Sequence, residues 1–352
     1  MDQLSRFLDP TMTRHTISGG VKTLAARGRA EYGAEYASNG LGGMQNHLPM
    51  CLYALGAMGA SESRLIGFYD WYVPRLEKRS PAVRRIDQDG WETLLGHHAG
   101  NDEYFSFFSE QAEVEGLDRV LDRYLPRLFR GVGGGAFHPL IRLAYALEMD
   151  SLDEACEALA AWCMAYRELG DAEFAERRDL RTSVAAFSSD PYFREARPRE
   201  PGILRRMEKV AADPRFAATV HRSGPPGRDV IAGIARLSLD TFLSAPSFVT
   251  LHLVTSSHAL RIVDRHVPLQ NEWLEGYWIA WLAAYVTLGA PDLSGEHSAH
   301  SNRDWADLFD EAVAADDDHV NKFVYSCHAE SIAYGEPRYL DAADRYLSGA
   351  TA

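Results

Sequence analysis

Ala136-Phe137-His138-Pro139-Leu140-Ile141-Arg142-Leu143-Ala144-Tyr145-Ala146-Leu147-Glu148 is the stretch from which the fold follows. Leu140, Leu143, Ala144 and Leu147 recur at the i, i+3, i+4, i+7 spacing of one helical face. Pro139 stands where a first helical turn has no N–H to lose. The same periodicity predicts helices over Asn46–Met58, Glu62–Arg79, Asp102–Glu115, Leu117–Phe129 and Leu152–Leu169. It predicts six more over Arg228–Leu243, Ser247–Asp264, Gln270–Leu288, Arg303–Ala315, Asp318–Tyr334 and Arg338–Leu347. Alternating strand-like runs are missing, so the expected class is all-α. The expected arrangement is a single large multi-helix domain over residues 1–352, with a metal site between core helices. Residues 170–226 carry Asp190-Pro191, Arg197-Pro198, Glu200-Pro201 and Gly224-Pro225-Pro226, and they read as an irregular connector or lid.

The 352 residues are 46% hydrophobic and 24% charged, which suits a globular chain. A formal charge of −14 repels nucleic acid and anionic lipid, so neither is an expected partner. Four cysteines, at 51, 156, 163 and 327, form no Cys-x-x-Cys pair and suit a reducing cytoplasm. No window approaches the roughly 18 apolar residues of a membrane helix, and Met1–Arg6 lacks a signal pattern. A cytoplasmic protein is therefore expected. Only Lys22, Lys78, Lys209 and Lys322 are lysine, so arginine is the default cation.

Gly131-Val132-Gly133-Gly134-Gly135 has the glycine content of a dinucleotide loop, but helix rather than strand precedes it and no acidic residue follows at ribose distance. No Gly-x-x-x-x-Gly-Lys-Ser/Thr, Gly-x-Ser-x-Gly or His-Glu-x-x-His motif occurs. Thirteen histidines remain, and the informative ones lie in apolar helical contexts: His47, His138, His252, His258 and His319. Each alone is more often a core residue with one hydrogen bond than a ligand. His297 and His300 sit in a solvated loop, Pro291–Asn302, that needs no ligand. His252 and His258, six apart, point about 240° from each other around a helix, so a continuous helix cannot aim both at one ion. The run Thr255-Ser256-Ser257 could bend that helix by bonding back to its carbonyls, which weakens the exclusion. His319 and Lys322 share a face behind Asp316-Asp317-Asp318. A lysine between Val320 and Phe323, where arginine is the rule, suggests an amine with a depressed pKa: a nucleophile, a base, or a site for CO2 addition. The alternative is a snorkelling surface lysine. Trp71-Tyr72, Trp91, Tyr104–Phe108, Trp273, Trp278 and Trp281 would line a pocket for an aromatic substrate if they converge, and are otherwise core.

Five blocks in order resemble the questin oxidase family. They are Asn46-His47-Leu48-Pro49-Met50 with Ala54-Leu55-Gly56-Ala57; Trp91–Gly96 with Tyr104–Gly116; Gly135–Arg142 with Tyr145-Ala146; His252-Leu253-Val254-Thr255 with Ala259-Leu260-Arg261; and His319-Val320-Asn321-Lys322. The blocks span Asn46 to about Tyr334. The resemblance implies an all-helical fold and a mononuclear non-haem iron held by four histidines and a carboxylated lysine. Carried over by position, the metal ligands are His47, His138, His252, His319 and Lys322, a set that closes without His258. Arg142 and Tyr145 stand where some relatives carry histidine, and the chain is shorter than the fungal enzymes. Arg142 is the candidate partner of a substrate phenolate, Tyr145 a further candidate catalytic residue, and Asp318 the candidate acceptor of a histidine N–H.

The implied activity is oxidative cleavage of a C–C bond, of Baeyer–Villiger type or by dioxygenation, in an anthraquinone-like polycyclic polyketide. The implied cofactors are Fe(II) with O2 as co-substrate, CO2 for the lysine, and NADPH as an external reductant, since the sequence has no nucleotide fold. A reductase or a second copy of the chain is the expected partner besides the aromatic small molecule. Two other readings compete: a zinc- or manganese-dependent hydrolase or lyase at the same residues, and a non-catalytic helical binding protein whose histidines are core.

Overall fold

The computed structural model describes residues 10–36, 45–97, 100–170, 173–195, 197–225, 227, 230–295 and 297–349. Among them are seventeen α-helices and one pair of short antiparallel strands, Tyr32–Tyr36 and Leu76–Lys78, registered Tyr32 to Lys78 and Tyr36 to Leu76. The chain is all-α in class. No helix among the described residues is long and apolar enough to cross a membrane.

Helices His138–Glu148 and Phe248–His266 lie side by side at the centre. Every residue from His138 to Leu147 is buried, as is Val249–Leu260. Leu48–Ala57, Leu152–Ala165, Val230–Ser244 and Asp318–Tyr334 surround them. The ends of these helices are set by ordinary local chemistry. Ser247 and Thr250 form a reciprocal capping box at the start of Phe248–His266. Asp317 accepts the N–H groups of His319 and Val320, and Gly335, at φ +60°, ends the helix begun at Asp318. Asn46 accepts the Leu48 N–H at 2.9 Å and donates to the Gly33 carbonyl, holding the entry to Leu48–Ala57. Helix Asn271–Thr287 is apolar on all sides and correspondingly buried along nearly its whole length. A smaller apolar cluster, with Val21, Leu48, Leu52, Leu65 and Phe68, packs the Pro10–Glu31 helix onto the main body.

The eleven helices predicted by periodicity beside Ala136–Glu148 are all present, most with shifted ends. Glu62–Arg79 ends as an α-helix at Tyr72, because Pro74 stops it, and continues as a 3-10 turn and the strand Leu76–Lys78. Leu152–Leu169 ends at Ala165. The predicted start at Arg228 lies outside the described residues, and that helix is seen from Val230. Helix Pro10–Glu31 escaped periodicity because Gly19-Gly20 and few apolar residues blur its face. The predicted connector is largely helical: Leu180–Ser188, Pro191–Glu195, Ile203–Ala211 and Pro214–Val220 lie within it, while its Pro226 end is outside the described residues. Pro191 opens a helix there instead of marking a loop.

The glycine run packs against protein. A Cβ on Gly134 would come 1.9 Å from the Ala165 carbonyl oxygen, so the glycine permits that close approach. The predicted pocket aromatics pack in local groups: Trp91 with Tyr124, Trp273 with Phe129, Trp278 with Trp281, and Trp71 with Phe68. Two described cavities, about 260 and 590 Å³, are lined by none of them.

Candidate metal centre

Four helix starts and turns converge on one buried point. His47 is the residue before Leu48–Ala57, His138 opens His138–Glu148, His252 lies in the second turn of Phe248–His266, and His319 is the second residue of Asp318–Tyr334. The rings of His47 and His138 stack with centroids 4.5 Å apart, and His319 meets His47 edge-on at 5.0 Å. His252 lies 4.8 Å from His138 and 5.8 Å from His319. Donor atoms of His47, His138 and His319 all lie within 4.8 Å of one another.

The outward nitrogens decide the chemistry of the inward ones. His138 Nδ1 is 2.5 Å from the Gly135 carbonyl, and His252 Nδ1 is 2.6 Å from the Phe248 carbonyl. A carbonyl oxygen only accepts, so both Nδ1 atoms carry the proton. Asp318 bridges the other two, with Oδ2 at 2.7 Å from His47 Nδ1 and Oδ1 at 3.0 Å from His319 Nδ1. Burial holds three of the rings neutral: His47 is pushed down to about 3 against the pull of the Asp318 carboxylate, and His138 and His252 are lowered too, with nearby cationic groups adding to the effect. A neutral ring protonated at Nδ1 presents a lone pair at Nε2. His138 Nε2 and His252 Nε2 therefore turn lone pairs on each other at 3.3 Å, and His319 Nε2 is buried with no hydrogen-bond partner. Such an arrangement is repulsive until a cation enters it.

Asp318 is held ionised, since the two imidazoles it bridges outweigh its burial. Lys322, one turn along from His319, is 2% exposed, and burial lowers its pKa. The snorkelling alternative is thereby removed. Cys51 closes the floor, its thiol donating to the Asp318 carbonyl at 3.3 Å.

The remaining predicted site residues sit farther out. Tyr145 is buried, with its hydroxyl 3.4 Å from both the Lys322 carbonyl and Ser326 Oγ. Arg142 donates to Glu154 on the neighbouring Leu152–Ala165 helix at 3.3 Å, while its Nε and Nη1 have no partner. His258 leaves the cluster entirely: its Nδ1 meets Glu330 at 2.8 Å and its Nε2 lies 3.7 Å from Glu148. Thr255, Ser256 and Ser257 do bond back to carbonyls, yet the helix runs unbroken through them.

Sequence reasoning missed the carbonyls of Gly135 and Phe248, because main-chain acceptors leave no residue-type signature. It also missed the Phe248 ring, 48% exposed and 4.6 Å from both His252 and His319. Its place four residues before His252 was the available signal.

The sequence model described as questin oxidase-like matches residues 44–245 and 243–327. The oxidoreductase AflY of Aspergillus parasiticus is 28% identical over 134 residues, 35% of this chain and 27% of that protein. A Baeyer–Villiger oxidase of Pestalotiopsis microspora is 25% identical over 354 residues, 82% of this chain and 76% of its own length. The questin oxidase of Aspergillus terreus is 24% identical over 331 residues, 79% and 73% of the two chains.

Proposed function

The chain belongs to the questin oxidase-like family and is an oxidoreductase, and from that premise we propose that it is a non-haem iron oxygenase that opens a ring of an anthraquinone-like polycyclic polyketide. The observation that carries the reading is the set of four imidazoles, each tied at Nδ1 and turned inward at Nε2. His47, His138, His252 and His319 would hold the ion, with Lys322 as the fifth donor. The metal supplies what no side chain can, the activation of O2.

The protein's own groups prepare that site. Asp318 fixes the tautomer and direction of two rings, and the Gly135 and Phe248 carbonyls fix the other two. Burial keeps the Lys322 amine available for CO2: its lone pair forms the N–C bond, one proton leaves, and the product carbamate is the anionic oxygen donor that the histidine set lacks. Substrate is a flat aromatic with phenol or quinone oxygens, which the named activities of the relatives support. NADPH, directly or through a reductase, is the proposed source of electrons. The chain acts in the cytoplasm in this reading.

An oxidoreductase family disfavours the hydrolytic alternative, and an enzyme is not a passive binding module. Oxygen uptake tests the proposal. Protein loaded with Fe(II) is expected to consume O2 with an anthraquinone or its hydroquinone and to give a product heavier by oxygen, read by mass spectrometry. No uptake by iron-loaded protein across a panel of such quinones would overturn it.

A further inference from the structure

Three tyrosines meet beneath the imidazoles, one from each of three helices that carry the centre. Tyr53 comes from Leu48–Ala57, Tyr145 from His138–Glu148 and Tyr325 from Asp318–Tyr334. Their rings close a triangle, with centroids 5.9 Å apart for Tyr53 and Tyr145, 5.7 Å for Tyr53 and Tyr325, and 5.7 Å for Tyr145 and Tyr325. Tyr145 is buried and its hydroxyl touches the Lys322 main chain, whereas Tyr53 and Tyr325 are partly exposed. Tyr325 lies three residues from Lys322, about 4.5 Å along the helix axis. The triangle thus spans from the candidate metal ligands toward solvent.

One corner has a base already in place. Tyr325 donates to Glu148 Oε1 at 2.9 Å. The other Glu148 oxygen, buried and without a hydrogen-bond partner, lies 3.7 Å from His258 Nε2. On its other side His258 meets Glu330, which also accepts from Arg261 Nε at 2.8 Å. Removing an electron from a phenol that keeps its proton leaves a strongly acidic cation, which is costly where water cannot take the proton. With a carboxylate on the hydroxyl the proton leaves along an existing hydrogen bond, and no phenol cation forms.

We propose that this triangle is a one-electron relay serving the metal centre, with Tyr325 as its redox-active member and Glu148 as the acceptor of its proton. The proposal rests on the oxygenase reading. A one-electron oxidant derived from O2 at the centre would take one electron from Tyr325, with the Tyr145 ring as the packed medium between them and not itself oxidised. The Tyr325 O–H bond breaks, its proton goes to the Glu148 carboxylate, and the products are a neutral phenoxyl, a neutral Glu148 and an oxidant reduced by one electron. An electron from an external one-electron donor and the proton held on Glu148 restore the phenol. The partly exposed edges of Tyr53 and Tyr325 are where that donor would act.

The test is freeze-quench electron paramagnetic resonance on the full chain, loaded with Fe(II) and mixed with O2 without organic substrate, with iron measured on the same samples. The wild type is expected to give a phenoxyl signal that narrows when tyrosine is ring-deuterated. Tyr325→Phe and Glu148→Gln are expected to lose the signal at unchanged iron content, and Tyr124→Phe, in the distant Trp91 group, to keep it. Glu148→Gln decides the matter if Tyr325→Phe does not fold. Iron-replete wild type without a phenoxyl signal, or an undiminished signal in Tyr325→Phe or Glu148→Gln, overturns the relay and leaves the oxygenase reading standing. Protein that takes up no iron overturns the oxygenase reading and the relay with it.

Discussion

At residue scale the site turns on Asp318, whose one carboxylate orients two imidazoles. Asp318→Asn can accept one ring N–H but not both, and iron affinity is expected to fall about 10- to 100-fold with the fold intact, read by metal titration. The buried imidazoles also set an acid limit. His47, His138 and His252 have folded pKa values depressed below the unfolded value of about 6.5. Below that pH the unfolded chain takes up protons that the folded chain refuses. The stability they contribute is therefore present above about pH 6.5 and is lost as pH falls toward their folded values, each histidine costing up to about 1.4 kcal/mol per pH unit. His258 has the opposite sign. Burial works against its charge, but Glu148 and Glu330 together raise its pKa, so its contribution is full below about 6.5 and is lost as pH rises. Denaturant midpoints of the metal-free protein between pH 7 and pH 4 should fall steeply, and a flat profile would contradict the neutral-imidazole assignment. Glu330→Ala leaves His258 and Arg261 without their shared buried carboxylate and is expected to cost about 3–5 kcal/mol by urea unfolding.

Backbone conformation carries the argument at element scale. Gly135, Ala136 and Phe137 have φ of +57°, +54° and +69°, three left-handed residues immediately before His138. Only the first is glycine. The turn aims the Gly135 carbonyl back at the His138 ring, and two side-chain-bearing residues hold a conformation that costs roughly 1–2 kcal/mol each. Ala136→Gly is therefore expected to raise the thermal midpoint by relieving that cost, with iron content unchanged. A lowered midpoint would show that Ala136 packing outweighs its backbone strain. These elements explain which parts of the sequence were readable. Leu140, Leu143, Ala144 and Leu147 announce their helix because one face is apolar and the other meets different neighbours. Pro191 misled because a proline that opens a helix and one that interrupts a loop look alike in sequence. Glycines at 19 and 20 hid the Pro10–Glu31 helix for a similar reason, since its stability comes from packing Val21 and Ala25 onto the smaller cluster.

For the whole molecule, the fold is an all-helical body in which the two central helices, His138–Glu148 and Phe248–His266, help bring candidate ligands from distant parts of the chain together. His47 and His319 are 272 positions apart and yet 5.0 Å apart as rings. Spacing alone could pair His319 with Lys322 and separate His252 from His258, because both are relations within one helix. It could not bring His47 to His138, a relation that packing creates and that only the order of the family blocks suggested. The Tyr325–Glu148 contact, between residues 177 apart, left no trace in the sequence for the same reason. The central claim is that the four inward Nε2 atoms and Lys322 hold one iron. Metal analysis by plasma mass spectrometry on protein expressed with iron and bicarbonate tests it most directly, comparing wild type with Lys322→Ala and His319→Ala. About one iron per chain in the wild type, lost in both variants while their helical circular dichroism is retained, is the predicted result. Wild-type protein that holds no iron under those conditions, or variants that hold as much as the wild type, would contradict it.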